Sequence, residues 1–85
     1  MTLSQKEYDV LNQIARNTRM DCWFWISQYK DGTDYVHDLE NDTKISLKDG
    51  VRQLYEGIDS YEDCKLNKEE IEIFESLLDK LDITH

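Results

Sequence analysis

Apolar side chains recur at the spacing of one buried helix face in three segments of the chain, residues 5–17, 47–57 and 68–82. A period near 3.6 residues is typical of amphipathic helices. Each segment also begins with a polar residue followed three positions later by an acid, the spacing of a helix-capping pair. The three pairs are Ser4 and Glu7, Ser46 and Asp49, and Asn67 and Glu70. We therefore predict three helices over these ranges.

The segment between the first two helices contains one run that is apolar on both strand faces and one that alternates in polarity, with the step Asp31-Gly32 between them. Two apolar-rich runs around an Asp-Gly step predict a β-hairpin. We place its strands at residues 22–29 and 34–41. The chain has 85 residues, no proline and no linker-like segment, so we expect a single domain over residues 1–85. The predicted fold is α+β, in the order α-β-β-α-α, with a two-stranded antiparallel hairpin packed with three helices.

The loop length decides which face of the hairpin is buried. With the loop Lys30-Asp31-Gly32, residue 29 faces residue 33, Trp23 and Trp25 point into the core, and Phe24 lies on the acidic face. With a loop of Asp31-Gly32 alone, Phe24 is in the core and both tryptophans lie beside Asp38 and Glu40. In either register an apolar cluster lies among carboxylates. Candidate anchors for a partner are therefore Trp23, Phe24 and Trp25.

The charge balance narrows the class of partner. Nineteen acids against ten bases give a net charge of −9, which repels phosphate backbones and attracts basic surfaces. A base-stacking platform also needs a cationic groove, whereas acids flank the aromatic strand. We expect no direct nucleic-acid binding and no membrane binding. No export signal or membrane-length apolar run is evident, which predicts a soluble, cytoplasmic protein.

Two groups of acids are candidate binding residues. Alternate carboxylates on a strand are about 6.5 to 7 Å apart, close to the interval between phosphates of a nucleic acid. We predict such a row on the second strand, and a second cluster near the turn between the last two helices. The row is Asp34, Asp38, Glu40 and Asp42, and the cluster is Glu56, Asp59, Glu62 and Asp63. Either group is a solvated surface or occupies the cationic channel of a nucleic-acid-binding protein.

Catalytic motifs are missing from the sequence. It contains no glycine-rich phosphate loop, nucleophile motif or metallohydrolase helix motif, which predicts a protein without enzymatic activity or cofactor. The alternative to a protein without a cofactor is one that binds zinc, with Cys22, His37 and Cys64 as ligands. We instead expect both thiols to be reduced and buried and His37 to lie in the core.

The acidic segments DYVHDLEND and YEGIDSYEDC, with aromatics among carboxylates, resemble small acidic proteins of phages and mobile elements of the anti-CRISPR inhibitor type. The resemblance implies binding to a CRISPR effector in the host cytoplasm and exclusion of its nucleic acid. Our leading hypothesis is a non-enzymatic protein that binds and inhibits a basic nucleic-acid-processing protein. The alternative is a homodimeric structural or regulatory module of a mobile element, stabilised by zinc in one version, that pairs through the open face of the hairpin.

Overall fold

The fold is a mixed α+β arrangement, described here for all 85 residues by a computed structural model. Four α-helices pack with one antiparallel sheet of three strands. The elements are α1 (Gln5–Asn17), β1 (Phe24–Gln28), β2 (Asp34–Asp38), β3 (Thr43–Ser46), α2 (Leu47–Glu56), α3 (Tyr61–Cys64) and α4 (Lys68–Lys80). The strand order in the sheet is β1-β2-β3, and a single 3-10 turn, Met20–Cys22, joins α1 to β1. The α+β class is as predicted, whereas the two-stranded hairpin and the element order are wrong.

The predicted helix starts are present. Ser4 and Glu7 form a capping box on α1, and Asn67 and Glu70 form one on α4. At α2 the Ser46 hydroxyl accepts a hydrogen bond from the Asp49 amide at 3.1 Å. These local contacts satisfy amides that have no partner within the first turn, so the helix starts can be read from sequence.

The third strand and the short helix α3 were not predicted. Strand β3 has four residues and leads directly into α2, so Ser46 is both its last residue and the cap of the helix. Helix α3 is one turn, capped by the Ser60 hydroxyl, which accepts from the Asp63 amide. Elements this short contain too few positions to display a period.

Both predicted strands are too long. Cys22 lies in the 3-10 turn, and β2 ends at Asp38. The Asp38 carboxylate accepts hydrogen bonds from the Glu40 and Asn41 amides at 3.0 and 3.3 Å, and Asp42 has a left-handed φ of 52°. These contacts turn the chain back toward β3.

The hairpin has the register of the three-residue loop, but its buried face is the opposite of the one predicted with it. Trp25 pairs with His37, and Ile26 pairs with Val36, while Gly32 has the left-handed φ of 90° that this loop requires. The side chains of Ile26 and Val36 are buried, and Trp25 is exposed. The prediction that the tryptophans face the core in this register is therefore wrong.

Packing against the helices determines which face of the sheet is buried. Helix α2 lies so close to β2 that a Cβ added at Gly50 would come within 2.3 Å of Val36 Cγ2. Alternate residues of the strands therefore point into the core, which comprises 16 buried residues. They are Val10, Leu11, Ile14, Ala15, Phe24, Ile26, Val36, Leu47, Val51, Leu54, Cys64, Phe74, Leu77, Leu78, Leu81 and Ile83.

Glu7 links the first and last helices. Its carboxylate accepts from the Ser4 amide at 2.9 Å and from Lys80 Nζ at 3.1 Å. Burial raises the pKa of Glu7, but the hydrogen bonds from Ser4 and Lys80 outweigh it and hold the pKa below its ordinary value. The ionised carboxylate thus fixes the first turn of α1 against α4. None of the four α-helices has the length and apolar character of a transmembrane segment.

Candidate functional site

Three of the five exposed large hydrophobic side chains line one groove. They are Tyr8, Trp25 and Leu39, which expose 37%, 55% and 44% of their surface. The groove has a volume of about 530 Å³ and lies between α1 and β1. We call it the Trp25 groove. Exposed large apolar side chains that converge on one concavity mark an interaction site more specifically than scattered ones do.

Each of the three side chains is directed to the groove by its element. Trp25 occupies an outward position of β1, between the buried residues Phe24 and Ile26. Leu39 is the first residue after β2, where its amide donates to the Trp23 carbonyl at 2.9 Å. Tyr8 completes the first turn of α1, directly after the anchored Glu7. The groove therefore has fixed walls on both sides.

Acids predominate around this groove. Its charged lining residues are Asp9, Asp21 and Arg16, two acids and one base.

The Cys22 thiol donates to Glu40 Oε1 at 3.2 Å. This hydrogen bond raises the pKa of Cys22 above its ordinary value. Cys22 is exposed, so the prediction that both thiols are buried holds for Cys64 alone.

Beyond Trp25, the outer face of the sheet carries further aromatic and polar side chains. The rings of Tyr29 and Tyr35 are 4.2 Å apart, and Lys44 Nζ lies 5.5 and 5.3 Å from their centroids. His37 lies on this same face, and its Nε2 is 2.8 Å from Asp42 Oδ1. The prediction that His37 lies in the core is therefore wrong, because its face of the sheet is the uncovered one.

The predicted acidic row does not form. Asp34 and Asp38 belong to β2, whereas Glu40 and Asp42 lie in the turn after it, so their carboxylates do not repeat along a strand. Each is also engaged within the chain. The contacts are Asp34 with the Leu3 amide, Asp38 with the Glu40 and Asn41 amides, Glu40 with Cys22, and Asp42 with His37.

Two of these carboxylates, those of Asp38 and Asp34, have a structural role. The side-chain hydrogen bond from Asn41, with those from the Asn41 and Glu40 amides, holds the pKa of Asp38 below its ordinary value. The ionised group thus stabilises the turn that ends β2. The carboxylate of Asp34 ties the start of the chain to the sheet. A pattern of alternate acids does not distinguish such contacts from a free acidic surface.

The second predicted cluster is present as exposed side chains around α3. Its members are Glu56, Asp59, Glu62 and Asp63. A cavity of about 380 Å³ lies beside them, with Tyr55, Ile58 and Tyr61 in its lining. We call it the tyrosine cavity. Burial, followed by the nearby carboxylate of Glu75, raises the pKa of Tyr61 to about 12.

Of the three predicted aromatic anchors, only Trp25 points outward. Phe24 is buried in the core, and Trp23 is partly buried against it, with the two rings 5.5 Å apart in an edge-on arrangement. Tyr8 and Leu39 were not predicted as anchors. Tyr8 lies within the first predicted helix, and Leu39 lies within the second predicted strand, so neither pattern indicated that the two side chains meet.

The His, Cys, Asp and Glu side chains do not assemble into any group of three or more arranged to hold a metal ion. Cys22, His37 and Cys64, the ligands of the zinc alternative, thus form no such group. Cys64 is fully buried, and burial raises the pKa of its thiol.

Comparison with known proteins gives no match: no family model, curated protein or solved structure corresponds to this chain.

Proposed function

We propose that this chain is a non-enzymatic binding protein whose Trp25 groove docks on a positively charged surface of a nucleic-acid-binding protein and excludes the nucleic acid. One observation carries the proposal. Three of the five exposed large hydrophobics meet in one groove, and the chain around it has a net charge of −9. An apolar centre within an acidic surface suits a partner that is itself basic.

The apolar and charged parts of the surface contribute differently. Interface energy concentrates in a few large side chains, most often Trp, Tyr and Arg, and truncation of such a residue costs about 2 kcal/mol or more. Trp25 is the natural anchor because it exposes 55% of its surface. The acids act at longer range, where they accelerate association and make it dependent on salt.

Inhibition follows from competition for the same cationic surface. A protein that binds nucleic acid presents Lys and Arg side chains to phosphates, and an acidic protein docked there displaces the phosphates. A CRISPR effector is one partner of this kind, in keeping with the anti-CRISPR resemblance of the acidic segments. The proposal places the chain in the cytoplasm of the host cell, where such enzymes meet nucleic acid.

A capture experiment tests the proposal. The immobilised chain is incubated with nuclease-treated host lysate at low and at high salt, beside a Trp25→Ala variant as the matched control. We expect the wild-type chain to retain a basic protein at low salt and to lose it at high salt. The variant should retain much less, and the captured protein should lose its nucleic acid when the free chain is added.

Three results would overturn the proposal. One is capture that is equal for the wild type and the Trp25→Ala variant. Another is a captured protein that still binds nucleic acid in the presence of the chain. The third is self-association of the chain in light scattering that buries the groove, which would favour the homodimeric module.

A further inference from the structure

We infer that the partner contributes an extended, basic segment that pairs as an added strand with the free edge of β1. This inference rests on the proposed function and specifies how the Trp25 groove recognises its partner. The recognition mode is β-strand addition, in which main-chain hydrogen bonds provide affinity and alternate side chains provide specificity.

The edge of β1 has unused hydrogen-bonding groups. The strand order is β1-β2-β3, so β1 has a neighbour on one side only. The Leu39 amide donates to the Trp23 carbonyl at 2.9 Å, and the Tyr29 amide donates to the Thr33 carbonyl at 2.8 Å. Odd-numbered residues thus bond to β2, and the backbone groups of Ile26 and Gln28 point away from it. No hydrogen bond from outside the sheet reaches these groups.

There is space beside this edge. The Trp25 groove occupies one end of β1, and a second groove of about 290 Å³ occupies the other, with Ile26 and Gln28 in its lining. Tyr8 lines both grooves, so the two spaces lie in series along the strand with α1 as the opposite wall. A strand paired with β1 lies about 4.8 Å from it. We call the two grooves together the trough, and an added strand would lie in it.

The charges of the trough favour a basic occupant. Its acidic lining residues are Asp9 and Asp21 at one end and Asp34 at the other, against the single base Arg16. A second copy of this chain would bring a further net charge of −9, and its own β1, FWISQ, contains no Lys or Arg. The occupant that fits is a strand with cationic and apolar side chains in alternation.

The other edge of the sheet lacks these properties. Strand β3 has four residues, and the pairing of Ile45 with Val36 directs the backbone groups of Lys44 and Ser46 to its free side. The Lys44 side chain rises from this edge strand over the Tyr29 and Tyr35 rings on the outer face of the sheet, and Ser46 caps α2. A lysine on a short edge strand disfavours addition of another strand, above all a basic one.

The probe for this inference is the peptide acetyl-Lys-Val-Lys-Val-Lys-Val-Lys-amide, added to the ¹⁵N-labelled chain. We expect hydrogen exchange at the Ile26 and Gln28 amides to slow at least tenfold at saturation, with no change at Lys44. Two analogues are N-methylated either at every Val or at every Lys. Only one set of peptide amides faces β1 in an added strand, so one analogue should lose binding while the other retains it. A peptide with Glu in place of Lys should not bind.

The outcomes separate this inference from the proposed function. Peptide binding that shifts Trp25 and Tyr8 but leaves the Ile26 and Gln28 amides unprotected overturns strand addition and leaves docking in the groove intact. Equal binding of both N-methylated analogues also overturns strand addition and leaves docking in the groove intact. Protection of β1 amides that grows with chain concentration in the absence of peptide overturns the basic occupant in favour of a second copy. Peptide pairing without capture of a basic protein from lysate supports strand addition and counts against the proposed function.

Discussion

The Trp25 groove and the tyrosine cavity both place aromatic rings among carboxylates, but they differ in how much of each ring solvent reaches. Tyr8 and Trp25 expose 37% and 55% of their surface. Tyr55 and Tyr61 are half-buried, and their ring centroids lie 6.0 and 6.2 Å from that of Phe74. The tyrosine cavity is therefore an outer edge of the core, whereas the groove presents side chains that the fold does not use.

The acids, by contrast, do not distinguish the two sites. In the tyrosine cavity His85 contacts Asp79 at 2.8 Å and Glu75 at 3.9 Å, and at the groove Asp9 accepts a hydrogen bond from Gln5 Nε2 at 2.9 Å. Asp21 at the groove and Asp59 at the cavity make no side-chain hydrogen bond or ion pair within the chain. Negative charge in itself therefore does not identify a binding site, and exposed apolar surface is what separates the groove from the cavity.

The largest expected effect concerns stability beneath the tyrosine cavity. Phe74 is fully buried, so Phe74→Ala should lower the free energy of unfolding by about 3 to 5 kcal/mol, because transfer and cavity terms add. Trp25→Ala is the control and should cost less than about 1 kcal/mol. Urea denaturation followed by circular dichroism measures both. Comparable losses of unfolding free energy in the two variants would mean that Trp25 contributes as much to stability as the buried Phe74, which would contradict the contrast between the two regions.

The next effect concerns binding. Trp25→Ala should weaken the complex with the captured basic protein by about 2 kcal/mol, roughly thirtyfold, because a central aromatic anchor is lost. Tyr55→Phe is the matched control in the tyrosine cavity and should leave the affinity unchanged. Titration calorimetry at one salt concentration gives both values. A stronger effect of Tyr55→Phe than of Trp25→Ala would indicate that the partner binds at the tyrosine cavity and not at the Trp25 groove.

The third prediction uses the phenol of Tyr61. Its pKa is raised to about 12, so the folded state retains this proton more tightly than the unfolded state. The stability that this provides is complete below the unfolded pKa near 10 and is lost as pH rises toward 12. Between pH 9 and 11.5 the wild type should lose on the order of 1 kcal/mol relative to Tyr61→Phe. A constant difference in unfolding free energy over this range would mean that Tyr61 is not shielded.

The smallest effect separates the two sets of acids. Neutralisation of Asp9 and Asp21 to Asn should slow association with the basic partner by about threefold to tenfold at low salt, and by less at high salt. Neutralisation of Asp59 to Asn and Glu62 to Gln removes the same charge beside the tyrosine cavity. It should slow association less, because those acids line no part of the groove. Stopped-flow measurements at two salt concentrations compare the pairs, and equal effects would indicate a general field rather than a local site.

Sequence reasoning succeeded where a few adjacent residues determine the structure. The capping pairs at Ser4 and Asn67 specify helix starts through contacts between residues three positions apart. The Asp31-Gly32 step specified the hairpin, because Gly32 takes up the positive φ that the loop requires. Such local signals do not depend on the rest of the fold.

Features that depend on contacts between distant parts of the chain were not predicted correctly. The buried face of β1 depends on α2, whose close approach at Gly50 selects Val36 for the core, and nothing within the strand encodes that contact. The groove was missed for a related reason, since Tyr8 and Leu39 are 31 positions apart in the chain. Trp25 was among the predicted anchors, whereas the acids do not form a row along one strand, because hydrogen bonds to the Asp38 carboxylate turn the chain directly after β2.

The most direct test of the account is site-specific photo-crosslinking. A benzophenone amino acid is introduced in place of Trp25, or in place of Tyr55 as the control, and each chain is irradiated in nuclease-treated host lysate at low salt. The account predicts a covalent product with a basic nucleic-acid-binding protein from position 25 and none from position 55. Products from position 55 alone, or products from position 25 that consist only of a second copy of the chain, would contradict it.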